Sequence, residues 1–265
     1  MSSIPARHQP RKRFGQHFLH DPQVIARIVA AIRPMPGEPL VEIGPGLGAL
    51  TRPLLQAAGE LDVVELDRDL LGPLQARCAG LGTLRIHQAD ALTFDFARLR
   101  GEGPRLRIAG NLPYNISTPL LFHLLNQAEQ IHDLHFMLQR EVVERMAAGP
   151  GEDAYGRLSV MLQYRCQIEA LFTVGPGAFQ PPPKVWSAVV RLVPRETFAV
   201  TVRDEQRLAE VVRRAFAQRR KTLRNSLQGL LDVDQIKAAG VDPVARPETL
   251  DLAAFAALSD AVTLQ

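Results

Sequence analysis

Residues 40–48 read LVEIGPGLG. Leu40 to Ile43 form a short apolar run of the kind buried inside a parallel sheet, and Gly44, Gly46 and Gly48 follow it at once. Glycines in that place let the chain turn tightly from strand to helix and let a ligand come close to the main chain. A helix follows as far as Ala58, where Gly59 stops it. Upstream, Asp21 caps a helix that runs to Arg33, with Pro22 in its first turn and Pro34 beyond its end. Val24, Ile25, Ile28, Val29 and Ile32 fall on one face of that helix.

Downstream the alternation repeats. DVVEL ending at Leu66, TLRIH from Thr83, RLRIAG from Arg105 and DLHFML from Asp133 read as four further strands. This rhythm predicts a parallel sheet with helices on both faces. From Leu171 to Leu192 strand-like runs are separated by Pro181, Pro182 and Pro183, which fits antiparallel strands closing the sheet edge. Residues 194–202 read as a linker, and beyond Asp204 only helical patterns follow, with Leu250, Leu252, Phe255 and Leu258 as apolar faces. The expectation is an α/β domain over residues 1–195 and a small all-α domain over residues 196–265.

With 265 residues, 46% of them hydrophobic, the chain can bury a substantial core. No apolar run reaches bilayer length, and the opening MSSIPARHQPRKRFGQHF lacks the apolar middle of a secretion signal, so no membrane partner and a cytoplasmic location are expected. Cys78 and Cys166 form no CxxC pair, and the seven histidines show no HExxH spacing. His132 and His135 have no accompanying carboxylate or cysteine cluster, so no metal site is predicted. The net charge of +3 is unevenly placed. Arg7, Arg11, Lys12 and Arg13 precede the first acid, and Arg213, Arg214, Arg219, Arg220, Lys221 and Arg224 lie in a run without acids between Glu210 and Asp232. Such clusters suit a phosphate backbone, and equally a solvated tail and helix face.

Three successive strand ends carry the chemistry. The glycine loop ends the first, Glu65 ends the second and Asp90 follows the third. A carboxylate at the position of Glu65 accepts from both ribose hydroxyls of an adenosine-containing cofactor, and Asp90 can accept from the adenine amine. The competing reading is a plain glycine turn with two surface carboxylates. The spacing is GxGxG, not the GxGxxG of dinucleotide binding, so a cofactor without pyrophosphate is favoured, S-adenosylmethionine rather than NAD. The fourth strand decides. It ends in Asn111, Leu112, Pro113 and Tyr114. An adenine amine is a poor nucleophile because its lone pair is delocalised into the ring. Acceptors on both N–H bonds, the Asn111 side-chain oxygen and the Leu112 carbonyl, turn that lone pair toward an electrophilic methyl. Pro113 stiffens the turn and Tyr114 offers a face for stacking the base. Read blandly, the same four residues are only a turn.

RKRFGQHFL, VEIGPGLGALT, VVELDRDL, GNLPYNISTPLLFHLL, AYGRLSVMLQY, AFQPPPKV and FAQRRKTLRNSL together resemble the ribosomal RNA dimethyladenosine transferases linked to kasugamycin sensitivity, in order from Arg11 to about Leu227. The resemblance implies a Rossmann-like class I S-adenosylmethionine-dependent methyltransferase domain with a helical C-terminal domain. It implies dimethylation at N6 of two adjacent adenosines in the terminal hairpin loop of 16S rRNA, in the 30S small subunit or its precursor; separately, a monomer is expected. Cofactor contacts carry over to His17, Leu19, Gly44, Gly46, Glu65, Asp90 and Asn111, and stacking of the target base to Tyr114 and Phe179. His17 stands where the family often has asparagine, and contact by side chain or by backbone both fit. Phe179 reads as a second aromatic wall opposite Tyr114, or as a core residue under a loop. Lys184, Arg219, Arg220, Lys221 and Arg224 are the candidate RNA contacts, the last four at helical spacing in one stripe. The nearest alternative is the related 23S rRNA class that confers macrolide resistance. A non-catalytic ribosome-assembly factor and a dehydrogenase are further alternatives, disfavoured by the intact Glu65, Asn111 and Tyr114.

Overall fold

In the computed structural model, residues 17–218 and 220–262 are described. The first elements are β1 (Phe18–Leu19), α1 (Pro22–Ile32), β2 (Leu40–Ile43), α2 (Thr51–Ala58), β3 (Glu60–Glu65), α3 (Arg68–Cys78) and β4 (Thr83–Gln88). Then come α4 (Ala97–Arg100), β5 (Leu106–Asn111), α5 (Ser117–Leu125), β6 (Ile131–Gln139), α6 (Arg140–Ala147), α7 (Arg157–Arg165), β7 (Cys166–Val174), β8 (Phe179–Gln180) and β9 (Ser187–Pro194). The chain ends in α8 (Glu205–Ala215), α9 (Leu223–Ser226), α10 (Val233–Ala238) and α11 (Leu252–Asp260). No described helix is long and apolar enough to cross a membrane.

Seven strands form one sheet in the order β4-β3-β2-β5-β6-β9-β7. The strands from β4 to β6 are parallel and β9 runs antiparallel to β6, as the proline-separated runs predicted. Chain order reverses between β2 and β5, and open sheets of this kind bind ligands at the carboxyl ends of the strands where that switch occurs. At the switch the two strands are held close: a Cβ on Gly110 would lie 2.5 Å from the Ile43 carbonyl oxygen. Helix α1 starts where Asp21 accepts from the Gln23 and Val24 amides at 2.8 and 3.2 Å, and it buries Ile28 and Ile32 in the core beside Leu54, Leu55, Leu61 and Val63.

One buried ion pair fixes the base of the sheet. Arg107 on β5 donates twice to Asp133 on β6, both at 3.0 Å, and to Glu38 at 2.9 Å. It also donates to the carbonyls of Ile32 and Arg33 that end α1. Burial alone would raise the Asp133 carboxyl, but His135 and Arg107 beside it hold it well below the usual carboxylate range.

The chain packs as two compact units, one containing the described residues up to Arg140 with Ala170–Pro194, the other Glu141–Glu169 with the residues from Arg195 onward. This differs from the single boundary at 195/196 expected from sequence. Residues 141–169 group with the C-terminal helices because their side chains complete the helical core. The Tyr155 hydroxyl donates to the Leu250 carbonyl at 2.9 Å, and its ring meets Phe216 edge-on at 6.1 Å. Phe216 lies 5.7 Å from Phe255 in turn.

The basic stripe also differs from expectation. Arg219 lies outside the described residues. Helix α8 ends at Ala215 and α9 begins at Leu223, so exposed Arg220 and Lys221 sit in the intervening turn and exposed Arg224 on α9. The helix breaks because Phe216 turns inward onto Tyr155 and Phe255 while Leu223 is fully buried on the other side of a polar run. Arg213 and Arg214 are ion-paired with Glu210 at 2.7 and 2.6 Å, and these bonds hold the Glu210 carboxyl at about 2.

Candidate active site

A cavity opens at the carboxyl ends of β2, β3, β4 and β5, and its lining includes Gly44, Glu65, Asp90 and Asn111, one from each strand end. The glycine loop is built for close approach. Gly44 and Gly46 have φ of 66° and 55°, a region costly for residues with a side chain. A Cβ on Gly46 would press on the Phe18 ring at 3.3 Å. Glu65 ties this loop to the end of β3, accepting from the Gly46 amide at 3.2 Å and the Asp67 amide at 2.8 Å. Burial raises its carboxyl above the ordinary value against those two bonds. Each oxygen keeps a further lone pair for a ligand hydroxyl. Asp90 is exposed at the rim, one oxygen accepting from the Leu92 amide at 2.9 Å.

The charge of the cavity discriminates between cofactors. Glu42, Glu65, Asp67 and Asp90 line it, and among the described residues no lysine or arginine does. A pyrophosphate would meet the Glu65, Asp67 and Asp90 carboxylates there with no lysine or arginine to balance it, whereas a sulfonium compound with net positive charge is suited to them. Glu42 is the least solvated of the four, 2% exposed, with Oε2 lacking any hydrogen-bond partner. Burial, opposed by the Thr51 hydroxyl and assisted by nearby Glu65, pushes its carboxyl up to about 8.

At the end of β5, the Asn111 amide nitrogen donates to the His17 carbonyl at 3.1 Å. A carbonyl only accepts, so this bond fixes the amide orientation and leaves Oδ1 without a donor among the described residues. Pro113 and half-buried Tyr114 continue the cavity wall. The Tyr114 hydroxyl is bonded to Ser187 Oγ at 2.8 Å, and burial raises it above the ordinary phenol range. The His17 ring stacks on Tyr114, with centroids 5.8 Å apart and planes 29° apart, and its Nδ1 bonds the Pro181 carbonyl at 2.8 Å. His17 and Leu19 both line the cavity, and the His17 carbonyl and Nδ1 are bonded to protein groups.

Phe179 departs from the expected second wall. It is 2% exposed, belongs to the core that contains Leu19 and Ile28, and is not part of the cavity lining. The reason is the two-stranded sheet of β1 and β8, which pairs Leu19 with Phe179 and carries the ring inward. The ring facing Tyr114 is His17 instead. Lys184 stands exposed on the loop before β9. Phe18, Leu66, Leu92 and Ile116 also line the cavity and were not singled out from sequence. Exposed Leu66 had a signal, since it directly follows Glu65; buried Ser187 had none.

A family profile described as ribosomal RNA adenine dimethylase matches residues 7–263. The chain is 61% identical over 254 residues to the ribosomal RNA small subunit methyltransferase A of Pseudomonas putida, covering 96% of this chain and 95% of that protein. The protein of the same name from Nitrosococcus oceani is 58% identical over 252 residues, covering 95% of this chain and 96% of the relative. Among solved structures, a dimethyladenosine transferase from Plasmodium falciparum is similar with a TM-score of 0.79 and 26% identity, over 91% of this chain and 96% of that one. The 23S rRNA methyltransferase ErmE is similar with a TM-score of 0.72 and 26% identity, over 92% of this chain and 99% of that one.

Proposed function

We infer the reaction from the premise that this chain belongs to the ribosomal RNA adenine dimethylase family. It is an S-adenosylmethionine-dependent rRNA methyltransferase with a Rossmann-like class I fold. The target we propose is the pair of adjacent adenosines in the 3′-terminal hairpin loop of 16S rRNA, each dimethylated at N6. The enzyme acts as a cytoplasmic monomer on the 30S subunit or its precursor during ribosome biogenesis. The 23S alternative is disfavoured, because ErmE is 26% identical while relatives named for the small subunit reach 61%.

The observation that carries the chemistry is the fixed Asn111 amide. S-adenosylmethionine, when bound, supplies an electrophilic methyl on sulfur. Gly44 and Gly46 would let it approach the main chain, Glu65 would accept from its ribose hydroxyls and Asp90 from its adenine amine. On the substrate side, Asn111 Oδ1 and the Leu112 carbonyl accept the two N–H bonds of the target amine, freeing its lone pair. Pro113 keeps that turn rigid and Tyr114 stacks the base, with Ser187 holding the phenol in place. An amine nitrogen taking up a methyl would become acidic, so the site would need no strong base beside Asn111 and Leu112. Lys184, Arg220, Lys221 and Arg224, with Arg219, contact RNA phosphates. Incubation with unmethylated small subunits and methyl-labelled cofactor, followed by mapping of the label, tests the reading. Label on two adjacent adenosines of the small-subunit rRNA is expected; label on large-subunit rRNA instead would overturn it.

A further inference from the structure

Trp186 is the chain's single tryptophan, and it is 51% exposed. With its exposed neighbour Val185 it forms a small apolar patch on the surface. Its backbone adjoins Ser187, which touches the Tyr114 wall of the cavity, although Trp186 itself is not among the lining residues. The Trp186 carbonyl accepts from the Arg140 amide at 2.9 Å, and the next residue, Ser187, bonds the Tyr114 hydroxyl at 2.8 Å. The outer edge of its six-membered ring lies beside Gly175, where a Cβ would come within 3.6 Å. Val185, 43% exposed, and Lys184 continue the patch along the chain. Lys184 has no ion-pair partner among the described residues.

We propose that Trp186 and Lys184 form a platform for a nucleotide flanking the reacting adenosine, the indole stacking on its unpaired base and the ammonium meeting its phosphate. The inference rests on the rRNA reaction proposed above. Drawing one adenosine into the pocket unstacks it and exposes the π-face of its neighbour to water. An indole beside the pocket covers that face without reading its identity, because every base has one. Lys184, two residues away, supplies the cation that a phosphate backbone requires. Phe179, buried in the core, cannot offer such a surface in this conformation. Trp186 can.

With only one tryptophan, fluorescence of the full chain excited at the red edge, where its three tyrosines do not absorb, reports this site alone. Titration with a single-stranded RNA containing two adjacent adenosines is expected to quench it. An abasic strand of equal length, which keeps every phosphate, is expected to leave it nearly unmoved. In methyl transfer to small subunits, Trp186→Ala should raise KM for the subunit about ten-fold, with Trp186→Phe in between and cofactor affinity unchanged. The wild-type fluorescence test decides even if Trp186→Ala fails to fold. Equal quenching by the abasic strand, or normal transfer by the wild type with neither fluorescence nor KM responding, would sink the platform alone. Failure of the wild type to methylate rRNA would sink both readings. A fluorescence response to RNA-free ribosomal proteins but not to RNA would assign the patch to a protein partner and overturn the proposal.

Discussion

Replacing Glu42 by glutamine should make the cofactor-free protein more stable, by an amount that grows with pH. Glu42 is 2% exposed, and its carboxyl is pushed by burial from 4.5 up to about 8. The folded chain therefore holds this proton through a range in which the unfolded chain has already released it. Its stabilising contribution is complete below about 4.5 and is lost progressively as pH rises toward 8. The loss runs at roughly 1.4 kcal/mol per pH unit in the ideal case, and about half that if water or local relaxation lowers the penalty. Between pH 5.5 and 7.5 the advantage of Glu42→Gln should grow by about 1.5–3 kcal/mol. For a chain of this size that is about 3–10 °C in melting temperature. Glutamine keeps the shape and polarity of the protonated acid and cannot ionise, so packing changes should appear as a constant offset. Thermal unfolding of both proteins without cofactor, across that pH window, is the assay. Parallel curves with no widening gap would show that Glu42 ionises freely in the folded chain, and the assignment of a buried neutral acid beneath the glycine loop would be wrong.

Asn111→Ala removes the oriented acceptor and should lower methyl transfer by roughly two to four orders of magnitude, with circular dichroism unchanged; activity within about three-fold of wild type would rule the role out. Asp133→Asn leaves the half-sequestered Arg107 guanidinium with Glu38 as its one remaining close counter-charge among the described residues and should cost up to about 3 kcal/mol in denaturant unfolding. Because Asp133 is held below the usual range, its contribution in the wild type is present above its ordinary value of 3.8 and is lost as pH falls, which acid titration of the two proteins checks. Reversing exposed Arg220 and Lys221 to glutamate should weaken small-subunit binding and flatten its salt dependence while leaving cofactor affinity unmoved; an unchanged salt slope would place RNA docking elsewhere.

What the sequence determined by itself is local. Period-two and apolar runs reveal a strand, a glycine cluster reveals the turn after it, and chemistry placed at the ends of successive parallel strands converges because the strands are parallel. Gly44, Glu65, Asp90 and Asn111 were legible in this way, and the structure brings all four to one cavity. Segments distant in sequence were decided only in the tertiary structure. Phe179 reads equally well as a wall or a core residue until Leu19 pairs with it, 160 positions away. The His17 ring on Tyr114, the Ser187 hydroxyl beneath it and the grouping of residues 141–169 with the C-terminal helices have the same origin. Glu42 in LVEI looks like any polar residue in a strand, and only full burial under the loop makes it a weak acid. Periodicity tells which face of an element avoids water; it carries no term for which other face will cover it, and that pairing sets burial, dielectric and hence chemistry.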